Sequence, residues 1–174
     1  MSDINFEPLP VLETNEYTLR ELKNEDADEI YLIRSDEQIL KYLDITKATS
    51  LDDAKEFIER INSGMKENKW PYWGITKKGN SKIIGTICLW NIAENPRKAD
   101  IGFVLLPEYQ GQGIMQKVIP LVINYGFTKM NLEKIEGEVS PHNIKSIKLM
   151  EKHGFKFYSK LDETDIYILE NTNK

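Results

Sequence analysis

The sequence has few of the residues that form covalent cross-links or metal sites. It contains one cysteine, Cys88, in 174 residues, which excludes an internal disulfide. Cys88 lies in an apolar run, a setting typical of a buried structural thiol rather than a nucleophile. The two histidines, His142 and His153, have no third ligand at metal-binding spacing. We therefore expect no metal site.

Long apolar runs and basic runs are also missing. No apolar run approaches the roughly 18 residues that a membrane helix needs. The opening residues, MSDINFEPLP, lack the basic and apolar regions of a signal peptide. We therefore expect a cytoplasmic protein with no membrane partner. The formal net charge of −5 disfavours nucleic acid as a partner and favours a cationic small substrate such as an amine.

Repeats, low-complexity tracts and Gly/Ser linkers are absent from the sequence, so we predict one domain over residues 1–174. Apolar spacing predicts the order strand, two helices, three strands, helix, strand, helix, two strands. Short turns favour antiparallel pairing early in the chain, and a strand–helix–strand crossover favours parallel pairing later. The predicted class is α/β (α+β), a mixed sheet with helices on both faces. The strands are predicted at 17–22, 70–77, 82–91, 97–106, 132–139, 155–159 and 165–170, and the helices at about 24–34, 54–65, 112–129 and 143–153.

Several other residues are assigned to structure rather than chemistry. Pro120 lies inside the third predicted helix and is expected to kink it or loosen one turn. The acidic residues Glu25, Asp26, Asp28 and Glu29 are expected to form a solvated helix face with capping. The aromatic residues Trp70, Tyr72, Trp73 and Trp90 are expected in the sheet and core, with one or two of them lining a pocket.

Two glycines, Gly111 and Gly113, stand between a predicted strand and the start of a long apolar helix. A helix N-terminus offers unpaired N–H groups and a positive partial charge, and glycine allows close approach, which together favour a phosphate site. Neither glycine is followed by the Lys-Ser or Lys-Thr of a Walker loop, and the third glycine of a dinucleotide fingerprint is missing. The loop alone fits a tight turn without ligand equally well.

The flanking segments extend this pattern. They read ADIGFVLLPEYQGQGIM from Ala99 and, some thirty residues later, VSPHNIKSIKLMEKHGFKF. Together they closely resemble the GNAT superfamily of acetyl-CoA-dependent N-acetyltransferases, and the opening TLREL resembles its RimJ/RimL branch of ribosomal-protein N-terminal acetyltransferases. The resemblance covers about residues 15–170. It implies a single N-acetyltransferase domain whose mostly antiparallel sheet has about seven strands and a central V-shaped splay. The matching positions are Gln110, Gly113, Asn143, Ser146, Gly154 and Phe155.

The resemblance implies acetyl-CoA as cosubstrate. Backbone N–H groups of residues 112–115 suit the coenzyme pyrophosphate, and Met115 stands where the family usually has Gly or Ala. The pantetheine arm is expected to pair with the edge of the preceding strand, where Gly102 is expected to mark the distortion that opens the splay. Asn143 is expected to bond the arm, its alternative being a simple N-cap. The predicted coenzyme-binding residues are Val104, Leu105, Leu106, Gln110, Gly111, Gln112, Gly113, Ile114, Met115, Asn143 and Ser146.

Acetyl transfer to an amine needs a base that removes a proton from the amine. Asp100 stands where several family members carry a glutamate base, and it is one methylene shorter. Its alternative role is that of an exposed strand residue paired with Arg97 or Lys98. The thioester carbonyl is expected to be polarised by the backbone N–H of Leu105 or its neighbour.

Protonation of the leaving thiolate is the third requirement of this chemistry. Many family members use a tyrosine at the position of Met150, which has no proton to give. Ser146, one helical turn earlier, is the expected substitute acid, and it can equally be a small packing residue.

The resemblance therefore implies an N-acetyltransferase that works by direct transfer in a ternary complex. The acceptor is expected to be a protein N-terminus or a small amine such as a polyamine, an amino acid or an aminoglycoside. A coenzyme-binding sensor or scaffold without transfer activity is the alternative, which the missing tyrosine and the shortened carboxylate at Asp100 favour. A structural domain without ligand is a third possibility. A homodimer is possible because dimers are frequent in this family.

Overall fold

The computed structural model describes residues 4–43 and 45–172. The first three residues, which entered the signal-peptide argument, lie outside this part, as do the two ends of the predicted 1–174 domain. The strands are β1 Leu12–Glu13, β2 Tyr17–Arg20, β3 Tyr72–Lys77, β4 Ile83–Glu94, β5 Arg97–Leu105, β6 Lys134–Val139, β7 Lys156–Leu161 and β8 Thr164–Glu170. The helices are α1 Ala27–Ser35, α2 Glu37–Leu40, α3 Leu51–Lys66, α4 Ile114–Thr128 and α5 Ile144–Lys152, with 3-10 turns at Asn24–Asp26 and Pro107–Tyr109.

All eight strands form one sheet in the order β1-β2-β3-β4-β5-β6-β8-β7. Every neighbouring pair of described strands is antiparallel except β5 and β6. This confirms the predicted mixed, mostly antiparallel sheet. The strand count is eight rather than about seven, because β1 has only two residues and is too short to show an alternating pattern.

The sheet splays open between its two parallel strands. Pairing of β5 with β6 runs only from Lys98↔Lys134 to Asp100↔Glu136. Beyond Asp100, β5 continues along β4 while β6 continues along β8. The central V-shaped splay is therefore present and opens at Asp100.

The predicted distortion at Gly102 is wrong. Residues 100–105 of β5 pair with β4 in one unbroken register, including Cys88↔Gly102. The irregularity lies in β4 between Trp90 and Ala93. There Asn91 has a φ of 52°, a left-handed conformation that asparagine tolerates better than most residues. A bulge at this point adds one residue to β4.

Helices cover both faces of the sheet, as predicted. Tyr72 of β3 packs against Phe57 of α3, with ring centroids 6.0 Å apart. The next residue, Trp73, packs against Tyr125 of α4 at 5.2 Å. Successive side chains of a strand point to opposite faces, so α3 and α4 lie on opposite sides. The core between these layers is closely packed, and Trp73 is fully buried in it.

Two local expectations are corrected. Asp26 is buried rather than solvated: its carboxylate accepts hydrogen bonds from the Lys23 N–H at 2.7 Å and from both Arg20 Nη atoms at 2.9 Å. Helix α4 begins at Ile114 rather than Gln112, and it is helical through Pro120 to Thr128. Within the described ranges, no helix is long and apolar enough to cross a membrane.

Candidate active site

Two helix N-termini meet at the open end of the splay. Strands β5 and β6 run parallel, so their carboxyl ends lie at the same end of the sheet, where strand-to-helix connections form ligand sites in such sheets. Strand β5 leads through Pro107–Tyr109 into α4, and β6 leads into α5. The glycine loop before α4 and Asn143 before α5 therefore flank one opening.

The glycine loop is shaped by backbone conformation. Gly111 and Gly113 have φ values of 78° and 77°, which L side chains rarely adopt. A Cβ built on either glycine would meet no described atom within 4 Å, so close packing is not the reason for glycine here. Gly113 is the N-cap of α4, and among the described residues no side chain caps that helix. The first N–H groups of α4 therefore have no capping side chain, and the space beside Gly113 is open, which fits an anionic group such as a pyrophosphate.

Two glutamines hold this loop from within. The Nε2 of Gln110 donates to the carbonyl of Leu105 at 3.0 Å. The Nε2 of Gln112 donates to the carbonyl of Glu108 at 3.0 Å. The side chain of Gln110 therefore ties the loop to the end of β5, and the backbone is left to face a ligand.

Along β5, only every second backbone N–H group faces the splay. The N–H of Leu106 donates to the carbonyl of Ile84 at 3.0 Å. In an antiparallel pair, hydrogen-bonded and non-hydrogen-bonded residues alternate, so the N–H groups of Val104 and Leu106 face β4. Those of Phe103 and Leu105 face the splay. Of the predicted residues Val104, Leu105 and Leu106, only Leu105 therefore directs its N–H group to the splay, and Phe103 does so as well. The sequence analysis missed Phe103 because the residues of β5 that bond to β4 are set by the register between the two strands.

Asp100 lies where the V opens, half-buried. Its Oδ2 accepts a hydrogen bond from Asn91 Nδ2 at 3.1 Å. Lys98 pairs instead with Glu136, and Asp100 makes no ion pair within the described part of the chain. The alternative pairing with Arg97 or Lys98 is therefore wrong. Burial raises the pKa of Asp100, the Asn91 bond lowers it, and repulsion from Glu136 raises it again, for a net increase.

Asn143 begins α5, as the capping alternative predicted. Its Oδ1 accepts a hydrogen bond from the Ser146 N–H at 3.3 Å, and the Ser146 side chain is half-buried. Met150, where the family tyrosine is expected, is only 3% exposed. Its sulfur would lie 2.6 Å from a Cβ at Gly137, so it packs directly on β6. This position holds no proton donor.

A cleft of about 840 Å³ lies between the sheet and the helices α1 and α3. Its floor carries residues that face each other across the strands, such as Tyr72↔Cys88, Cys88↔Gly102 and Trp90↔Asp100. Its walls include residues that the sequence analysis did not single out: Arg34, Phe57, Arg60 and Glu138. Three of the four aromatic residues considered above, Trp70, Tyr72 and Trp90, line this cleft, while Trp73 belongs to the core.

Cys88 lies in the floor of this cleft and is expected to be unreactive. Burial raises its pKa to about 12. At pH 8 such a thiol holds roughly a thousandfold less thiolate than a free cysteine of pKa about 8.5. We predict that Cys88 reacts with a thiol reagent roughly a thousandfold more slowly in the folded protein than after denaturation, measured by absorbance. Cys88 itself is half-buried rather than fully buried, so equal rates in both states would contradict the raised pKa. His142 and His153 belong to no cluster that can hold a metal within the described ranges.

The sequence profile of the acetyltransferase (GNAT) domain matches residues 17–156. The chain belongs to this family. It is 34% identical over 148 residues to the N-acetyltransferase p20 of Bacillus licheniformis, covering 85% of this chain and 83% of that protein. It is 31% identical over 147 residues to the N-acetyltransferase YoaA of Bacillus subtilis (strain 168), covering 84% and 83%. The GNAT resemblance is thereby confirmed, and the chain is an acetyltransferase.

Solved structures and a further relative add context. The ribosomal-protein-S5-alanine acetyltransferase of Vibrio fischeri superposes with a TM-score of 0.80 at 25% identity, covering 94% of this chain and 98% of that one. The ribosomal L7/L12 α-N-protein acetyltransferase RimL, solved with coenzyme A, gives 0.81 at 15% identity, covering 92% and 98%, and shows the shared fold. The spermidine N(1)-acetyltransferase of Vibrio cholerae (serotype O1, strain ATCC 39315 / El Tor Inaba N16961) is 27% identical over 141 residues, covering 81% and 79%. The RimJ/RimL-like resemblance is thus confirmed among the structural neighbours.

Proposed function

We propose that this GNAT acetyltransferase moves acetyl from acetyl-CoA directly to a primary amine in a ternary complex, with residues 1–174 as one N-acetyltransferase domain. The observation that carries the proposal is the splay between β5 and β6. Asp100 lies where this splay opens and lines the cleft beside α1 and α3. The Leu105 N–H faces the same splay, and β5 leads on into the uncapped N-terminus of α4. Acetyl-CoA, when bound, supplies a thioester whose carbonyl carbon accepts the amine.

We assign binding of the coenzyme to the glycine loop and to the edge of β5 that faces the splay. The backbone N–H groups of residues 111–115 would hold the pyrophosphate, because they lie at a positive helix end that no side chain caps in the described part of the chain. Phe103 and Leu105 would pair with the amides of the pantetheine arm as a neighbouring strand does. Asn143 and Ser146, across the opening, would bind the arm through their polar side chains.

Asp100 is assigned as the general base. A primary amine arrives as an ammonium, and a carboxylate with a raised pKa accepts its proton more readily than an ordinary aspartate. The short side chain makes transfer through one water reasonable. The Leu105 N–H faces the same opening and would polarise the acetyl carbonyl. Because this donor is a fixed backbone group, it needs no rearrangement during the reaction.

Ser146 is assigned as the proton source for the leaving thiolate, since Met150 cannot serve. Its hydroxyl lies on the first turn of α5, where the positive helix end also favours a thiolate. A thiolate stabilised in this way needs less help from an acid. We therefore expect Ser146 to contribute less to the rate than Asp100.

The acceptor remains a choice between two classes of amine. A ribosomal-protein acetyltransferase among the structural neighbours supports a protein N-terminus, and the spermidine acetyltransferase relative supports a small amine. The cleft beside Asp100 is large enough for either. The non-catalytic sensor is favoured by the buried Met150 in place of a proton donor and by the shorter carboxylate of Asp100.

Thiol release from acetyl-CoA tests this proposal. The panel holds peptides with varied N-terminal residues, polyamines, amino acids and aminoglycosides, and a thiol-reactive dye reports turnover. We expect release with at least one acceptor class, with the acetylated product identified by mass spectrometry. Coenzyme binding by calorimetry without release for any acceptor would favour the sensor. Absence of binding would contradict both functions and favour the structural domain.

Two further expectations stay predictions: a cytoplasmic location and a homodimer. The outer edge of β7 is the surface we propose for a second copy, since β7 ends the sheet and exposes Phe157, Tyr158 and Leu161. An unpaired strand edge can pair with the same edge of another copy about a twofold axis.

A further inference from the structure

The cleft contains two arginines that the proposed chemistry does not use. Arg34 of α1 and Arg60 of α3 both line it, and neither forms an ion pair with another described residue. The Arg34 guanidinium lies 3.9 Å from the centroid of the Phe57 ring, and that of Arg60 lies 5.2 Å from it. Both charges are thus gathered around one aromatic ring in the helical wall.

Arg34 is the more informative of the two because it is half-buried. Burial lowers the pKa of Arg34, the Tyr72 hydroxyl raises it, and the neighbouring Arg60 lowers it again, for a net decrease. An arginine fork matches the geometry of a carboxylate with two parallel hydrogen bonds. An anion bound beside Arg34 would therefore offset the unfavourable burial of its charge.

Within the described residues, no other charged group that lines the cleft forms an ion pair with these arginines. Lys47 is already paired with Glu37. Asp53 accepts hydrogen bonds from the N–H and Oγ1 of Thr49. Glu56 is exposed one helical turn before Arg60, where it offsets part of the Arg60 charge and leaves Arg34.

Two carboxylates, Asp100 and Glu138, lie at the splay instead. Asp100 belongs to β5, whereas the ring of Tyr72, against which Phe57 packs, belongs to β3, two strands away. In register, Asp100 is also two residues further along the strands than Tyr72. Neighbouring strands lie about 4.8 Å apart, and residues lie about 3.3 Å apart along a strand. Asp100, at the negative end of the cleft, is therefore on the order of 10 Å from the arginines around Phe57, at its positive end.

We infer that the acceptor carries an anionic group as well as its amine, with a carboxylate roughly 10 Å from the reacting nitrogen, bound by Arg34 and supported by Arg60. This inference rests on the proposed function and specifies its acceptor. A free amino acid is too short to span the two ends. A peptide N-terminus with Asp or Glu as its second or third residue spans them, because extended residues advance about 3.3 Å each. A polyamine would place a second cation beside the arginines.

Three amidated peptides that differ only at the third residue test this inference: Ser-Ala-Glu-Ala-Ala, Ser-Ala-Gln-Ala-Ala and Ser-Ala-Lys-Ala-Ala, with spermidine as a fourth acceptor. We expect kcat/KM to be about tenfold higher for the Glu peptide than for the Gln peptide, with the Lys peptide and spermidine lower still. Arg34→Gln is expected to remove most of the Glu preference, and to do so through KM. Arg34→Glu is expected to favour the Lys peptide.

Lys55→Gln is the matched control, because Lys55 is an exposed cation on α3 outside the cleft. It should keep the Glu preference. An equal loss for all three peptides in Arg34→Gln would assign Arg34 a structural role and overturn the inference, as would a preference for spermidine. If no acceptor supports thiol release, the proposed function fails. Calorimetry of the Glu and Lys peptides with the wild type and with Arg34→Gln then tests the inference about the acceptor's charge by itself. Equal affinities of the wild type for the two peptides would overturn that inference.

Discussion

Asp100→Asn is expected to lower kcat by roughly 10²–10⁴-fold, the range typical of a general base, while acetyl-CoA binds as in the wild type. The amide keeps the size and the hydrogen-bonding shape of the carboxylate but cannot accept a proton from the ammonium. We assign Asp100 to the acceptor side of the splay, and the proposed coenzyme contacts come from residues 103–115 and from α5. Steady-state thiol release and calorimetry measure the two quantities separately.

The pH profile gives this prediction a second readout. A base works when deprotonated, so kcat/KM should fall as the pH falls through the pKa of Asp100. Burial and repulsion from Glu136 raise that pKa above its ordinary value of 3.8, so the acidic limb should lie at higher pH than for an exposed aspartate. The limb should disappear in Asp100→Asn.

The same pKa shift predicts the effect on stability. A carboxyl whose folded-state pKa is raised binds more protons in the folded than in the unfolded state. Its contribution is therefore lost as the pH rises from 3.8 through the raised pKa, and at neutral pH the charge destabilises the fold. Asp100→Asn should consequently keep or raise the melting temperature, as expected where a residue serves function at a cost in stability.

Asp162→Asn is the control for removing a carboxylate, since Asp162 is exposed in the turn between β7 and β8. It should retain full activity. Wild-type kcat and an unchanged acidic limb in Asp100→Asn would show that another group takes the proton. Loss of acetyl-CoA binding in that variant would instead assign Asp100 to the coenzyme side of the cleft.

The conformation of the glycine loop was predictable because its determinants are local. The spacing of Gly111 and Gly113, the strand before them and the helix after them all lie within one stretch of chain, and the structure gives both glycines positive φ. The set of β5 backbone N–H groups that faces the splay was not predictable. It depends on the extra residue that the bulge at Asn91 adds to β4. A one-residue shift changes every cross-strand neighbour, so the pairing of Cys88 with Gly102 could not be derived from hairpin length alone.

The two arginines of the cleft could not be predicted for a different reason. The sequence predicts a helix at about 54–65, and the structure buries the residues of its apolar face in α3. Which polar residues at the margin of that face enter a cleft depends on how α1 and α3 lie over the sheet. Arg34 and Arg60 are far apart in sequence and meet only around Phe57. Tertiary packing of this kind leaves no local signal.

Gly113→Ala is expected to weaken acetyl-CoA binding about 100-fold, or about 2.7 kcal/mol. A backbone N–H that donates to a charged group contributes about 1.5–3 kcal/mol, and alanine disturbs such donors in two ways. Its methyl group enters the open space beside the loop. Its preference for negative φ also turns the loop away from the 77° that aims the N–H groups at the start of α4.

Gly79→Ala is a closely matched control. Gly79 lies in the turn between β3 and β4 with a φ of 82°, and a Cβ there also meets nothing within 4 Å. Both variants therefore carry similar backbone strain, and both should lower the melting temperature by a similar amount. Only Gly113→Ala should lose coenzyme affinity, which calorimetry with acetyl-CoA measures directly. If the two variants bind acetyl-CoA equally well, the glycines serve the turn alone, and the anion site must be sought elsewhere along the splay.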